Sequence, residues 1–295
     1  MQKIGFIGLG IMGSAMANNC HNAGYPITVY NRSFDKLTPF VEKGIATTKT
    51  PRALAEQCDI LIIMVSDPEA LLAILTDDEG IIDTELTNKV VINASTVSVE
   101  ASEHAAKLVE KAGGTFLDAP VSGSKIPAQT AKLVFLAGGD SSVMDRCEDL
   151  LLTMGSSMIR CGKVGDGTRM KLAMNLLMSG MVQALGESLM LVRQSGLDDQ
   201  LFMQAVKNSV LFAPILGMKG EAFLNRDFDA HFPLHLLFKD LNLIQDEARQ
   251  NGVSLPAGEA IRHCYAQAME QNLGGLDIAA ILQILEQYAG VKTQT

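Results

Sequence analysis

The first half of the chain alternates short apolar runs with amphipathic segments. The runs are KIGFI (3–7), ITVYN (27–31), DILIIMV (59–65), KVVINA (89–94), TFLDA (115–119), LVFLA (133–137) and SMIR (157–160). Most are separated by stretches with apolar residues at helical spacing, at 12–23, 68–75, 98–112 and 141–153. Strands that are apolar almost without interruption need cover on both faces. Helices between them supply it, so the pattern predicts a mostly parallel sheet with a helical layer on each side.

The pattern changes near Gly162. Beyond it no strand is expected, and 167–194, 234–250, 257–272 and 277–288 all read as helices. The glycine-rich segment CGKVGDG reads as a hinge, which predicts an α/β domain over 1–163 and an all-α domain over 164–295. The last residues, VKTQT, read as a frayed tail. The most apolar stretch, 172–192, is interrupted by Asn175, Gln183 and Glu187, which a membrane span would tolerate poorly. It is expected instead to be a helix with more apolar surface than one small domain covers, which predicts a homodimer or homotetramer.

The first strand runs into GLGIMG, a G-x-G-x-x-G of Gly8, Gly10 and Gly13 that opens the first helix. At the first strand-to-helix turn these glycines allow a tight turn, backbone approach to a pyrophosphate and close helix packing. The expected fold is therefore a Rossmann-type doubly wound sheet, with Leu9, Ile11 and Met12 completing a dinucleotide loop. The second strand ends in Asn31, Arg32 and Ser33 instead of an acidic residue. Asn31 can bond a ribose, and the Arg32 guanidinium suits a 2′-phosphate, which favours NADP, used as NADPH, over NAD. Met64, Val65 and Ser66 end one later strand and Ser95 and Thr96 follow another, so they are expected along the cofactor cleft.

Composition narrows the partners. A formal net charge of −9 over 295 residues, with no Lys/Arg block, argues against nucleic acid and anionic membrane. Five well-separated cysteines without CxxC spacing fit free thiols in a reducing cytoplasm. The N-terminus enters the glycine motif at once, so no cleaved signal is expected.

A nicotinamide implies hydride transfer, and reduction of a carbonyl also needs a proton donor. His231 and His235 flank Pro233, which disfavours a helix bringing both rings to one face, and no third ligand is evident, so no metal site is expected. No G-x-S-x-G is present. Lys171 stands out in RMKLAMNLLM: apolar residues surround it and Asn175 follows one turn later on the same face. A lysine, with a reference pKa of about 10.4, is protonated at neutral pH, and can protonate and stabilise a developing alkoxide.

GFIGLGIMGSAMA, DAPVSGS, KLAMN and FKD, in this order along nearly the whole chain, resemble the β-hydroxyacid dehydrogenase family. The resemblance implies that Lys171 is the catalytic acid/base and Asn175 its support. It implies that Ser122 and Gly123 hold a substrate carboxylate and that Thr96 lies beside the nicotinamide. It also assigns Lys239 to the cofactor and Phe232 and Asp240 to the pocket wall. From spacing alone Lys239 and Asp240 read as solvated, opposite a core stripe of Leu234, Leu237, Leu241 and Ile244. SGS followed by KIPA looks closest to the glyoxylate/succinic semialdehyde reductases, which implies a small aldehyde-acid or hydroxy-acid substrate. The alternatives are an NAD-dependent dehydrogenase of the 3-hydroxyisobutyrate or tartronate semialdehyde type and a non-catalytic NADPH sensor. 6-Phosphogluconate dehydrogenase shares the glycine loop, but this chain is short and lacks a basic cluster for a sugar phosphate.

Overall fold

A computed structural model describes residues 1–290, and the tail expected at 291–295 lies outside the described residues. The chain divides into two compact units, Met1–Leu172 and Ala173–Thr295.

Among the described residues the first unit carries a nine-stranded sheet. Six strands, β1 (Ile4–Ile7), β2 (Ile27–Tyr30), β3 (Ala46–Thr47), β4 (Ile60–Ile63), β5 (Val90–Asn93) and β6 (Thr115–Asp118), lie side by side in the order β3-β2-β1-β4-β5-β6, all parallel. β7 (Val121–Ser122) and β8 (Leu133–Gly138) extend the sheet in antiparallel fashion, and β9 (Gly155–Gly162) closes the edge parallel to β8. Successive residues enter opposite cores, as the two-residue repeat of a strand requires. Ile60 and Ile62 pack on one face with Phe6, Val90 and Ile92, while Leu61 and Ile63 pack on the other with Ile7, Val91 and Phe116. The chain leaves β1 towards β2 on one side and returns to β4 on the other, and this reversal opens a crevice beyond the strand ends, where such sheets bind ligands.

The stretch 161–167, expected to be a hinge, is a packed junction. A Cβ on Gly167 would lie 2.2 Å from the Leu136 carbonyl oxygen, and one on Gly138 would lie 2.4 Å from that of Lys163, so these glycines let the backbone press against β8. Asp118, fully buried at the end of β6, ties the junction together. Its Oδ2 accepts from the backbone N–H of Gly165 (3.1 Å) and Thr168 (2.8 Å). Its Oδ1 accepts from the hydroxyls of Thr168 (2.7 Å) and Ser102 (3.3 Å). Burial pushes this carboxyl up, and the Thr168, Ser102 and Gly165 bonds pull it back. The carboxylate caps the long helix Asp166–Gln194 from fifty residues upstream, where a negative charge also suits the helix dipole. Compactness consequently places the first turns of this helix with the sheet, whereas the sequence suggested a division at 163.

The long helix is apolar and long enough to cross a membrane by length and composition. It also carries a row of polar residues at four-residue spacing, Lys171, Asn175, Ser179 and Gln183, each at least nine-tenths buried within the protein. In the second unit, helix Leu234–Gln250 buries Leu234, Leu237, Leu241 and Ile244, the stripe that its spacing predicts, and also Ala248. The segment 195–233, for which no element was expected, holds helices Asp199–Lys207 and Pro214–Asn225. The second is masked in sequence by Gly217 and Gly220, whose absent side chains make room for Phe212 and Met203. The cysteines are all unpaired.

Replacing Asp118 by Ala leaves two buried backbone N–H groups and two hydroxyls without their acceptor. We expect a loss of at least about 3 kcal/mol in urea unfolding, at about 1–3 kcal/mol for each unsatisfied group, and a smaller loss for Asp118→Asn. An Asp118→Ala protein within about 0.5 kcal/mol of the parent would contradict the capping role.

Candidate active site

The crevice at the strand ends is a cleft of about 420 Å³. Gly8, Leu9 and Gly10 form its floor, Asn31, Arg32 and Ser33 one side, and Met64, Val65 and Ser66 another. Gly8 has φ +91°, and a Cβ there would lie 2.2 Å from the Met64 carbonyl oxygen, so the turn admits only glycine. A Cβ on Gly13 would lie 1.9 Å from the Gly8 carbonyl oxygen, which explains how closely the first helix packs. A Cβ on Gly10 would meet nothing within 4 Å, because this position faces open cleft. The helix Ile11–Asn22 starts there with no side-chain cap and no acidic residue in its first turn. Its positive end and bare N–H groups thus remain for an anion, and the cleft fits a dinucleotide pyrophosphate. Ile11, Met12 and Gly13 belong to that first turn and do not line the cleft itself.

Asn31 braces the loop. Its Oδ1 accepts from Leu9 N–H at 2.8 Å and its Nδ2 donates to the Ser33 carbonyl at 2.9 Å. Arg32 is exposed at the rim. Val65 N–H donates to Ser95 Oγ at 2.9 Å, so buried Ser95 holds the end of β4 from behind. Tyr30 and the face of helix Pro68–Thr76 that carries Ala70, Ala73 and Ile74 complete the cleft. Sequence reading missed these residues, because only the assembled sheet shows which helix face borders the crevice.

The other expected residues of the first unit lie near the ends of β5 and β6. Thr96 is half-buried just after β5. Ser122 ends β7, and Gly123 follows with φ +130°, in the left-handed region that favours glycine. Lys171 is 8% exposed, one turn beyond Thr168, whose N–H and hydroxyl bond Asp118. Lys171 is therefore a largely buried residue on a helical turn that the sheet itself holds.

The second unit holds Asn175, Phe232, Lys239 and Asp240. The solvated position that spacing suggests for Asp240 is overturned: it is 2% exposed. Asn175 Nδ2 donates to Asp240 Oδ2 at 2.7 Å, and Lys239 Nζ lies 3.0 Å from Oδ1 as an ion pair. These two partners make burial of the charge tolerable. A carboxylate only accepts, so Asp240 also fixes the amide of Asn175, with Nδ2 towards the acid and Oδ1 turned the other way. Lys239 is partly exposed and Phe232 half-buried. His235 Nδ1 lies 2.8 Å from the Gly274 carbonyl oxygen. No group of three metal-ligating side chains occurs among the described residues.

Comparison with known proteins agrees with this geometry. Residues 3–163 match the family model described as the NAD binding domain of 6-phosphogluconate dehydrogenase. Residues 165–285 match the model described as NAD-binding of NADP-dependent 3-hydroxyisobutyrate dehydrogenase. Glyoxylate/succinic semialdehyde reductase 2, chloroplastic, of Arabidopsis thaliana is 34% identical over 284 residues, 96% of this chain and 79% of that one. The 2-hydroxy-3-oxopropionate reductase of Escherichia coli is 32% identical over 292 residues, 98% of this chain and 99% of that one. A solved structure of Mycobacterium tuberculosis 3-hydroxyisobutyrate dehydrogenase with L-serine superimposes with a TM-score of 0.88 at 27% identity, covering 97% of this chain and 99% of that one. The chain belongs to the 3-hydroxyisobutyrate dehydrogenase family of NAD(P)-dependent oxidoreductases, which act on the CH–OH groups of small hydroxy acids or reduce the corresponding oxo acids.

Proposed function

We propose that this chain is an NADPH-dependent reductase of short aldehyde-acids, with glyoxylate and succinic semialdehyde as its substrates. The observation that carries the reading is a buried lysine, Lys171, on a helical turn capped by Asp118, in the same unit as the dinucleotide cleft. Relatives named glyoxylate/succinic semialdehyde reductase, at 34% and 32% identity, support the substrate.

Gly8 to Gly13, Asn31 to Ser33 and Met64 to Ser66 would hold NADPH, which would supply a hydride when bound. Arg32 offers its guanidinium to the 2′-phosphate. Ser122 gives a hydroxyl and Gly123 a backbone N–H to the substrate carboxylate, and Thr96 borders the reacting end. Lys171 protonates the carbonyl oxygen and stabilises the alkoxide as it forms. Asn175 presents Oδ1, the pole that attracts an ammonium, and Asp240 holds that amide in place. Lys239 serves the cofactor and Phe232 the pocket wall.

The second reading is an NAD-dependent dehydrogenase of the 3-hydroxyisobutyrate or tartronate semialdehyde type; the names of the Escherichia coli and Mycobacterium tuberculosis proteins support that substrate class. Initial rates with glyoxylate, succinic semialdehyde, tartronate semialdehyde and methylmalonate semialdehyde, each with NADPH and NADH, separate the two. NADPH binding without oxidation across this panel would leave a sensor. We place the protein in the cytoplasm on its unpaired thiols, with neither nucleic acid nor membrane as a partner.

Lys171→Ala should lower kcat by roughly 10²–10⁴-fold with NADPH binding retained, the usual share of a general acid; turnover within threefold of the parent would sink the mechanism. Arg32→Ala should raise KM for NADPH roughly 10–100-fold, the worth of a charge-assisted bond, and leave KM for NADH unchanged. In the second unit the long helix exposes Met174, Leu177 and Leu191, and Leu177 also borders an apolar groove of about 490 Å³. A second copy of the chain should cover that face. Light scattering should find a dimer or tetramer, reduced in order by Leu177→Asp.

A further inference from the structure

Lys219 and Asp277 form an ion pair at 2.6 Å, and both side chains are more than nine-tenths buried in the second unit. Neither residue belongs to the site proposed above. Asp277 accepts from four donors. Its Oδ1 takes Lys219 Nζ and Ala279 N–H (3.0 Å), and its Oδ2 takes the N–H groups of His231 and Phe232, each at 3.0 Å.

The backbone repeats the same connection. Asp277 N–H donates to the Phe228 carbonyl at 2.9 Å, and Ile278 N–H to that of Phe232 at 3.0 Å. Leu234 N–H donates to the Leu276 carbonyl at 2.8 Å, and Pro233 and Asp277 form an isolated antiparallel bridge. Phe232 therefore has its N–H on the Asp277 carboxylate and its C=O on the next residue's amide. Helix Leu234–Gln250, which carries Lys239 and Asp240, starts two residues later. Lys219, on helix Pro214–Asn225, fixes the carboxylate from the opposite side.

A buried ion pair is seldom the most stabilising use of two core positions, since apolar residues of similar volume often do as well. Such a pair holds one geometry, because a carboxylate with four donors has little freedom to shift. We infer that Lys219 and Asp277 are positioning residues that set Phe232, and so determine how the enzyme discriminates among aldehyde-acids by chain length. The inference rests on the reading of Phe232 as a pocket wall.

The test uses three variants of the full-length chain, Asp277→Asn, Lys219→Arg and Phe232→Ala, assayed with NADPH against glyoxylate and succinic semialdehyde. An asparagine keeps the shape but puts an NH₂ against donors, which releases either Ala279 or the 231–232 amides. We expect Asp277→Asn to change the ratio of the two KM values at least fivefold, with kcat within threefold and NADPH affinity unchanged. Hydrogen exchange at 228–235 should accelerate in the same protein. Lys219→Arg keeps the charge but puts a bulkier planar fork into the same buried space, so it should shift the ratio in the same direction by at least twofold, with kcat within threefold. A purely structural role would lower the amount of active enzyme and leave both KM values alone, and that result would overturn the inference. If Asp277→Asn does not fold, Lys219→Arg decides: a shifted KM ratio at unchanged kcat supports positioning, and a parental ratio overturns it. If Phe232→Ala leaves both KM values at the parental level, the pocket-wall reading fails first. If Phe232→Ala shifts them and the other two variants do not, only the positioning inference fails.

Discussion

One carboxylate ties the sheet of the first unit to the start of the long helix. Asp118 gathers the N–H groups of Gly165 and Thr168 and two hydroxyls at the end of β6, and the long helix must begin where these donors converge. Lys171 follows one turn later. A lysine on a freely fraying helix end would keep its ammonium in water, because the desolvation cost outweighs weak packing. Here the turn is capped and the glycines at 138 and 167 let it pack tightly, so burial of this residue follows from the backbone.

The same device recurs in the second unit. Asp240 orders the Asn175 amide and the Lys239 ammonium, and Asp277 orders Lys219 and the entry to helix Leu234–Gln250. Each of these acids joins segments far apart in sequence, Asp277 through four donors and Asp240 through the Asn175 amide and the Lys239 ion pair. Such junctions add little net stability compared with an apolar core, yet they specify direction as well as proximity. The long helix shows the result: its row of Lys171, Asn175, Ser179 and Gln183 is buried while Met174 and Leu177 face outward, which fixes the rotation of the helix about its axis.

Much of this was legible before the structure. Strands buried on both faces announce themselves as unbroken apolar runs, and the glycine loop is recognisable because its constraint is local, within six residues. Lys171 and Asn175 were legible for the same reason, as an i, i+4 pair in apolar surroundings. What stayed hidden depends on distance. The cap from Asp118 spans fifty residues and leaves no periodic trace. Asp240 looked solvated because periodicity records polarity and not the partner that makes a buried charge tolerable. Helix Pro214–Asn225 hid behind glycines needed for close contact with Phe212 and Met203, residues that score locally as helix breakers.

The double brace made by Asn31 has an evolutionary consequence. Leu9 N–H and the Ser33 carbonyl hold the loop after β2 in shape through the Asn31 amide, while its neighbour at position 32 is exposed and takes no part in that brace. A substitution at this exposed position can therefore leave the turn that frames the cleft intact, so the charge along this part of the rim is open to change in small steps.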